Sequence, residues 1–403
     1  MRLGLRANWR QFSLLVVINA FVGAMVGAER VVLPLLAGRD FGLASHVAIL
    51  SFIVSFGLVK AAANVAAGRL GDRIGRRSVL LAGWMFGVPV PWLLYSATSW
   101  KWVLLANALL GVNQGLAWSS TVIMKIDLAG PKRRGLAMGL NEAAGYLAVS
   151  GAALLAGMLA GTWGHREALL GVGGVAVTAG LLLSLFVKES RPHAQMEGGG
   201  APGAALSFRD VFWLTSWKNR NLFAVSQAGL VNNLNDGMAW GLFPLYFAGA
   251  GLPLLEVSVL AAIYPAVWGM AQLVTGAWSD RVGRKPLIVA GMAMQGAAIL
   301  ALPLTKGFSS WALALAALGL GTAMVYPTFL AAIGDVAHPA WRSSAIGVYR
   351  LWRDGGYAIG ALLAGFLADS AGVPWAIGAV GLLTAFSGLL AAITLRETLA
   401  VPV

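Results

Sequence analysis

Nine ionisable residues stand inside long apolar runs of this sequence: Glu29, Arg30, Lys60, Lys125, Glu142, Asp236, Arg350, Arg353 and Asp354. A charge at mid-bilayer costs at least ~2.5 to 3.5 kcal/mol on insertion scales, so each one marks a function or a partner. Carboxyl groups there can take up and release protons, which makes Asp236, Glu29 and Glu142 the proton-coupling candidates. Asp236 lies about 14 residues into its run, roughly 21 Å along a helix rising 1.5 Å per residue, near or just beyond the midplane. The cations Arg30, Lys60, Arg350 and Arg353 suit a ligand carrying carboxylate or phosphate, which arginine grips through two parallel hydrogen bonds. Lys125 is close to the end of its run, where its ammonium is expected to snorkel to water.

The runs that position these groups dominate the chain. Of 403 residues, 58% are hydrophobic and only 11% charged, and the mean hydropathy is +0.76. Soluble domains approach a quarter charged, so this is an all-α membrane protein. Apolar stretches of spanning length predict twelve transmembrane helices, near residues 12–37, 45–67, 78–98, 102–126, 135–160, 167–187, 222–248, 256–277, 286–304, 309–334, 343–369 and 374–395. The first is read as a retained span rather than a cleaved signal. Residues 188–221 form the one long polar, glycine-rich stretch and read as a cytoplasmic linker with a short interfacial helix near 208–217, between an N-terminal six-helix bundle (1–187) and a C-terminal one (222–403).

Lysine and arginine set the orientation. With the N-terminus cytoplasmic, 20 of the 29 basic residues fall on the cytoplasmic face and four on the other, so both termini are expected inside a cell membrane. The net charge of +13 is thereby explained by topology rather than nucleic acid, since no basic face with interleaved aromatics exists. The absence of cysteine excludes disulfides and thiolate metal sites. The four histidines sit at span ends or in loops, and no phosphate-binding glycine loop for ATP hydrolysis is present, so no metal, no cofactor and no enzyme activity is expected.

One motif occurs twice. "GRLGDRIGRR" at 68–77 returns as "GAWSDRVGRK" at 276–285, an offset of 208 residues. The same offset relates Asp127 to Asp335, Trp118 to Tyr326, Glu142 to Arg350, and Ala28, beside Glu29, to Asp236. Two homologous halves of six helices each are therefore parallel repeats about a pseudo-two-fold axis along the membrane normal.

The repeated turn resembles the signature loop between the second and third helices of the major facilitator superfamily. Gly68, Asp72, Arg73, Gly75, Arg76 and Arg77 fit its pattern, and Asp280, Arg281 and Arg284 fit it again. The resemblance implies a conformational latch, with Asp127 and Asp335 as partners of the two arginine turns. It also implies that helices 1, 4, 7 and 10 line a central cavity while 2, 5, 8 and 11 close the seams. Lys60 would then face Arg353 and Asp354, as substrate ligands or as a structural ion pair joining the halves.

The cavity helices supply Asn113, Gln114 and Trp118; Asn232, Asn235 and Trp240; and Tyr326 as further substrate-binding candidates. "LVNNLNDG" at 230–237 is the most polar stretch within any span, and a local unwinding is expected there. Drug/proton antiporters of the superfamily carry an arginine where this chain has Asn107, and a Gly-Pro pattern in helix 5 that is missing here. The expected function is a monomeric, proton-coupled secondary transporter working by alternating access on a small organic or phosphorylated anion. The alternative is an exporter of amphipathic drugs or lipids. Small-molecule substrate, protons and membrane lipids are the expected partners.

Overall fold

The structure is a computed structural model that describes residues 4–129, 134–193, 206–337 and 341–399, apart from the side chains at 68–69, 72–73, 134–136 and 342–343. Twelve long helical elements are numbered α1 to α12: α1 (Trp9–Phe41), α2 (His46–Ile74), α3 (Arg76–Tyr95), α4 (Trp100–Asn113, Gln114–Trp118 and Ser119–Ala129), α5 (Arg134–Thr162), α6 (His165–Leu185), α7 (Arg220–Gly249), α8 (Leu254–Val282), α9 (Arg284–Leu304), α10 (Phe308–Val336), α11 (Arg342–Ala371) and α12 (Val373–Thr394). Nine described helices are long and apolar enough to cross a membrane. The other three, α4, α7 and α11, are of similar length but interrupted or polar, and they carry much of the site.

Local chemistry sets the breaks. Gly75 and Gly283 have φ of 95° and 105° and are the single residues between α2 and α3 and between α8 and α9. A left-handed φ is costly for any residue with a Cβ, so glycine makes both turns possible. Pro89 and Pro91 divide α3 near its middle. In α4 the segment Gln114–Trp118 is a π turn. By contrast α7 is one continuous helix of 30 residues, so the unwinding expected at 230–237 does not occur. Its asparagines find side-chain partners instead, and the backbone ladder stays intact. A short helix, Phe208–Trp213 continuing through Leu214–Lys218, precedes α7 and docks on α11, where the Trp352 indole donates to Ser216 Oγ at 2.9 Å.

Within each half, helices approach at glycines. Gly23 and Gly27 of α1 press on the backbone of α5 at Gly145 and Val149. Gly356 and Gly360 of α11 do the same against α7 at Leu230 and Leu234. Small residues permit such backbone contact, the main source of helix association in lipid.

The halves meet along two seams, α2 against α11 and α5 against α8. On the face opposite the termini, Asp369 at the end of α11 accepts from Ser45 Oγ (2.6 Å), His46 N (2.6 Å) and Val47 N (3.1 Å), so one half caps the first turn of a helix in the other. Contact continues inward through Gly365 on Val47 and Gly57 on Tyr357 to a hydrogen bond between Asn64 and Asp354. On the second seam Gly157 lies against Ser258, and Ser150 Oγ donates to the Ala262 carbonyl at 2.7 Å.

Candidate substrate and proton site

Charged and aromatic side chains from both halves converge between the seams. The Arg30 guanidinium of α1 lies 3.4 Å from the Trp240 ring centroid, and Trp240 stacks on Tyr357 at 4.6 Å. Lys60 sits over the Tyr357 ring at 4.9 Å and 6.0 Å from that of Trp118. Trp118 packs on Tyr146 at 5.5 Å, and Tyr146 stacks on Trp268 of the opposite half at 3.6 Å. Tyr326 completes the cluster, accepting from the Tyr146 hydroxyl at 3.2 Å and lying under Arg353 at 5.0 Å. Cations over aromatic faces are held by the ring quadrupole.

The acids differ in their partners. Asp236 is fully buried, and its Oδ1 accepts from the Tyr264 hydroxyl at 2.5 Å while Oδ2 has no hydrogen-bond partner. Glu142 Oε1 accepts from the Trp118 indole at 3.2 Å and from Asn141 at 2.8 Å, leaving Oε2 unpartnered. Asp354 is saturated: it pairs with Arg353 at 2.7 Å and accepts from Asn233 and Asn64, tying α11 to α7 and α2. No carboxylate lies within ion-pair distance of Arg30, Lys60 or Arg350 among the described residues. Glu142 and Arg350 each lie eight residues from the start of their helices, ~12 Å from the face bearing the termini, and like Lys60 they are partly exposed. A cleft bounded by Arg30, Trp240 and Tyr264 has a free volume of about 20 Å³, room for about one water.

Several expected site residues lie elsewhere. Glu29 points into the N-terminal bundle, beside Met25, Pro91 and Leu169, with neither carboxylate oxygen bonded. Asn113 donates to the Gly83 carbonyl of α3 and Gln114 to that of Val22 in α1, so both fasten the N-terminal bundle. Asn235 bonds Gln295 and Thr384 inside the C-terminal bundle, and Asn232 donates to its neighbour Asn233. Lys125 does not snorkel: it is 0% exposed and its ammonium donates to Asn141 Oδ1, because α5 covers that flank of α4. Conversely Asn64, Tyr146, Tyr264, Trp268, Gln272 and Tyr357, not singled out from the sequence, stand in or beside the site.

The sequence model of the Major Facilitator Superfamily matches residues 13–229 and again 225–402. The chain belongs to the major facilitator superfamily. It is thus a multi-pass membrane transporter and not an enzyme. Similar curated relatives include the multidrug resistance protein MdtG of Enterobacter lignolyticus (strain SCF1), 25% identical over 78% of this chain and 75% of that one. MdtG of Proteus mirabilis (strain HI4320) is 24% identical over 91% of both chains, and an uncharacterized MFS-type transporter of Mycobacterium tuberculosis is 24% identical over 93% and 83%. Among solved structures, mutant peptide transporter POT in complex with alafosfalin and with sulfate share the fold at TM-score 0.74, with 14% and 15% identity over 95% of this chain and 93% of that one.

The superfamily's repeated turns build two equivalent clusters on the face bearing the termini. Arg76 pairs with Asp127 at 2.8 Å, and 208 residues on Arg284 pairs with Asp335 at 3.0 Å and with Asp280 at 2.7 Å. Ser190 and Thr398 donate to the same two aspartates at 2.6 and 3.2 Å. Glu189 accepts from the backbone of Arg77, and Glu397 from Arg284 and Lys285, capping α3 and α9. The expected partnering of the two arginine turns with Asp127 and Asp335 is thus present, and each of these described pairs lies within one half and clasps its own bundle. Arg77 also donates to the Leu185 carbonyl at 3.1 Å, while Arg281 is an exposed side chain. The side chains of Gly68's neighbour Arg69 and of Asp72 and Arg73 lie outside the described residues, as does the side-chain environment of Gly68.

Burial alone would raise the Glu189 and Glu397 carboxyls; donation from several backbone N–H groups outweighs it and holds both below their ordinary value of 4.5. Such groups contribute stability that is fully present above that ordinary value and is lost as pH falls through the lowered folded-state value. Glu189→Gln and Glu397→Gln are therefore expected to lower the unfolding temperature at pH 7 and to flatten its decline below about pH 4.5. Thermal unfolding followed from pH 7 to 3 checks this, and an unchanged acid limb would remove the caps from the account.

Proposed function

We propose that this transporter works by alternating access as a proton-coupled carrier of small organic anions, with Asp236 as the coupling acid. The observation that carries the reading is the pairing pattern: Arg30, Lys60 and Arg350 have no carboxylate at ion-pair distance among the described residues, and Asp236 leaves one oxygen unpartnered. A buried cation such as Arg30, and partly exposed ones such as Lys60 and Arg350 within a spanning bundle, favour a ligand that brings an anion. Glu142, hydrogen-bonded to Trp118, is a second acid open to the site; Glu29 stands behind it in the N-terminal bundle. The basic termini-bearing face is taken as cytoplasmic, the linker 188–221 joins bundles 1–187 and 222–403, and the carrier acts as a monomer in a cell membrane.

Uptake by proteoliposomes under an imposed proton gradient tests this. Gradient-stimulated uptake of organic anions is expected, and stimulation by lipophilic cations alone would defeat it. Lys60→Ala and Arg350→Ala should each weaken anion binding about tenfold, the loss of one charge-assisted contact; unchanged affinity in both would make these cations structural. A second reading, export of amphipathic drugs, is favoured by the aromatic lining and by the relatives named multidrug resistance proteins. Drug-stimulated proton release without any response to organic anions would select it.

A further inference from the structure

The two seams are built from the same repeat, yet their chemistry has diverged. Phe56, Lys60 and Asn64 on α2 become Tyr264, Trp268 and Gln272 on α8 at the 208-residue offset, each set spaced by four so that it forms a stripe along one helix face. Their counterparts across each seam are also related: Arg350 and Asp354 on α11 match Glu142 and Tyr146 on α5. The α2–α11 seam is charged, and Asn64 is satisfied on both sides, donating to Asp354 and accepting from Ser119 at 2.8 Å. The α5–α8 seam is aromatic, and Gln272, at 2% exposure, has no partner for either amide atom among the described residues. The Trp268 indole N–H, one turn away and 1% exposed, has none either. A buried amide left unbonded costs about 1 to 3 kcal/mol, so two adjacent orphans beside a ring stack point to a ligand that satisfies them.

The stack itself has the dimensions of an arene site. Tyr146 and Trp268 belong to opposite halves and lie 3.6 Å apart with planes 28° from parallel. When the halves rock apart this contact must break, exposing two apolar ring faces that a third ring could rejoin. Lys60 lies 6.0 Å from the Trp118 ring, which itself packs on Tyr146 at 5.5 Å, so one indole stands between this cation and the stack.

Resting on the organic-anion reading above, we propose that the transported anion is aromatic. Its ring inserts between Tyr146 and Trp268 in the α5–α8 seam with a polar edge on Gln272 and the Trp268 N–H, and its anionic group lies against Lys60 and Arg350 in the α2–α11 seam. The ring replaces a contact the protein otherwise makes with itself, so discrimination rests on planarity as well as charge.

Equilibrium binding of 2-naphthoate, of its fully saturated decalin-2-carboxylate analogue and of tetraphenylphosphonium to the purified full chain tests this. The naphthoate is expected to bind about tenfold more tightly than the saturated acid, the scale of one aromatic stack. Trp268→Leu should erase most of that difference by weakening the naphthoate, and Gln272→Leu should remove the extra affinity that 6-hydroxy-2-naphthoate has over 2-naphthoate through its polar ring edge. Should Trp268→Leu fail to fold, Gln272→Leu keeps the stack and still removes the amide. Equal affinity for the two acids would overturn the aromatic site and leave the organic-anion reading standing. Binding of tetraphenylphosphonium with neither acid bound would overturn both.

Discussion

Asp236→Asn is expected to abolish proton-driven accumulation while leaving substrate exchange intact. The amide keeps the shape of the carboxyl and an oxygen for the Tyr264 hydroxyl, which donates to Asp236 at 2.5 Å, but cannot carry a proton across. With one proton coupled, a gradient of one pH unit is worth about 1.4 kcal/mol and sustains a substrate ratio of about ten. In the variant that ratio should fall to about one, measured in proteoliposomes with a pre-set pH difference, while counterflow of labelled substrate persists. Undiminished accumulation would move the coupling role to Glu142, the other acid with an unpartnered oxygen open to the site.

Gly27→Leu is expected to prevent folding. At Gly27 a Cβ would overlap the Val149 carbonyl, and at Gly23 that of Gly145, so α1 and α5 touch backbone to backbone. Overpacking typically costs about 1 to 3 kcal/mol and more where backbone rather than a side chain must yield, as it must here. Gly151→Leu on the exposed flank of α5, where nothing lies within 4 Å, is the matched control and should leave yield unchanged. Monodispersity after purification and thermal unfolding distinguish the two; equal behaviour would mean the α1–α5 contact is looser than drawn.

The sequence was most legible where a physical cost forces a pattern. Charges cannot be scattered through a bilayer freely, so Arg76 with Asp127 and Arg284 with Asp335 announced themselves by type and by a shared offset, and these pairs form. The same offset relates Glu189 with Ser190 to Glu397 with Thr398, and both pairs cap and brace their bundles. Uncharged site residues were harder. Tyr146, Trp268 and Gln272 differ from ordinary span residues only in the direction they face, and helix rotation is set by packing at glycines rather than by composition. Asn113, Gln114 and Asn235 are polar residues of cavity helices that bond within their own bundles here, the first two to neighbouring backbone and the third to Gln295 and Thr384, and composition does not tell that orientation from a cavity-facing one. Lys125 was misjudged because its depth was counted from the helix end, whereas the Asn141 amide on α5 decides where its ammonium goes.

The cap that Asp369 gives to α2 has a counterpart position at Gly161, where no side chain exists to repeat it, and Pro253 stands where Ser45 would be. At that end one seam is therefore fastened by polar bonds, whereas on the other Gly157 abuts Ser258 and the nearest described hydrogen bond is further inward, from Ser150 to the Ala262 carbonyl. Separating the halves on that face therefore breaks the Asp369 hydrogen bonds at one seam and parts only packed surfaces at the other. Those bonds stand at an exposed rim, where water can take the place of each at a net cost of only about 1 to 3 kcal/mol, so the two seams part by unlike steps.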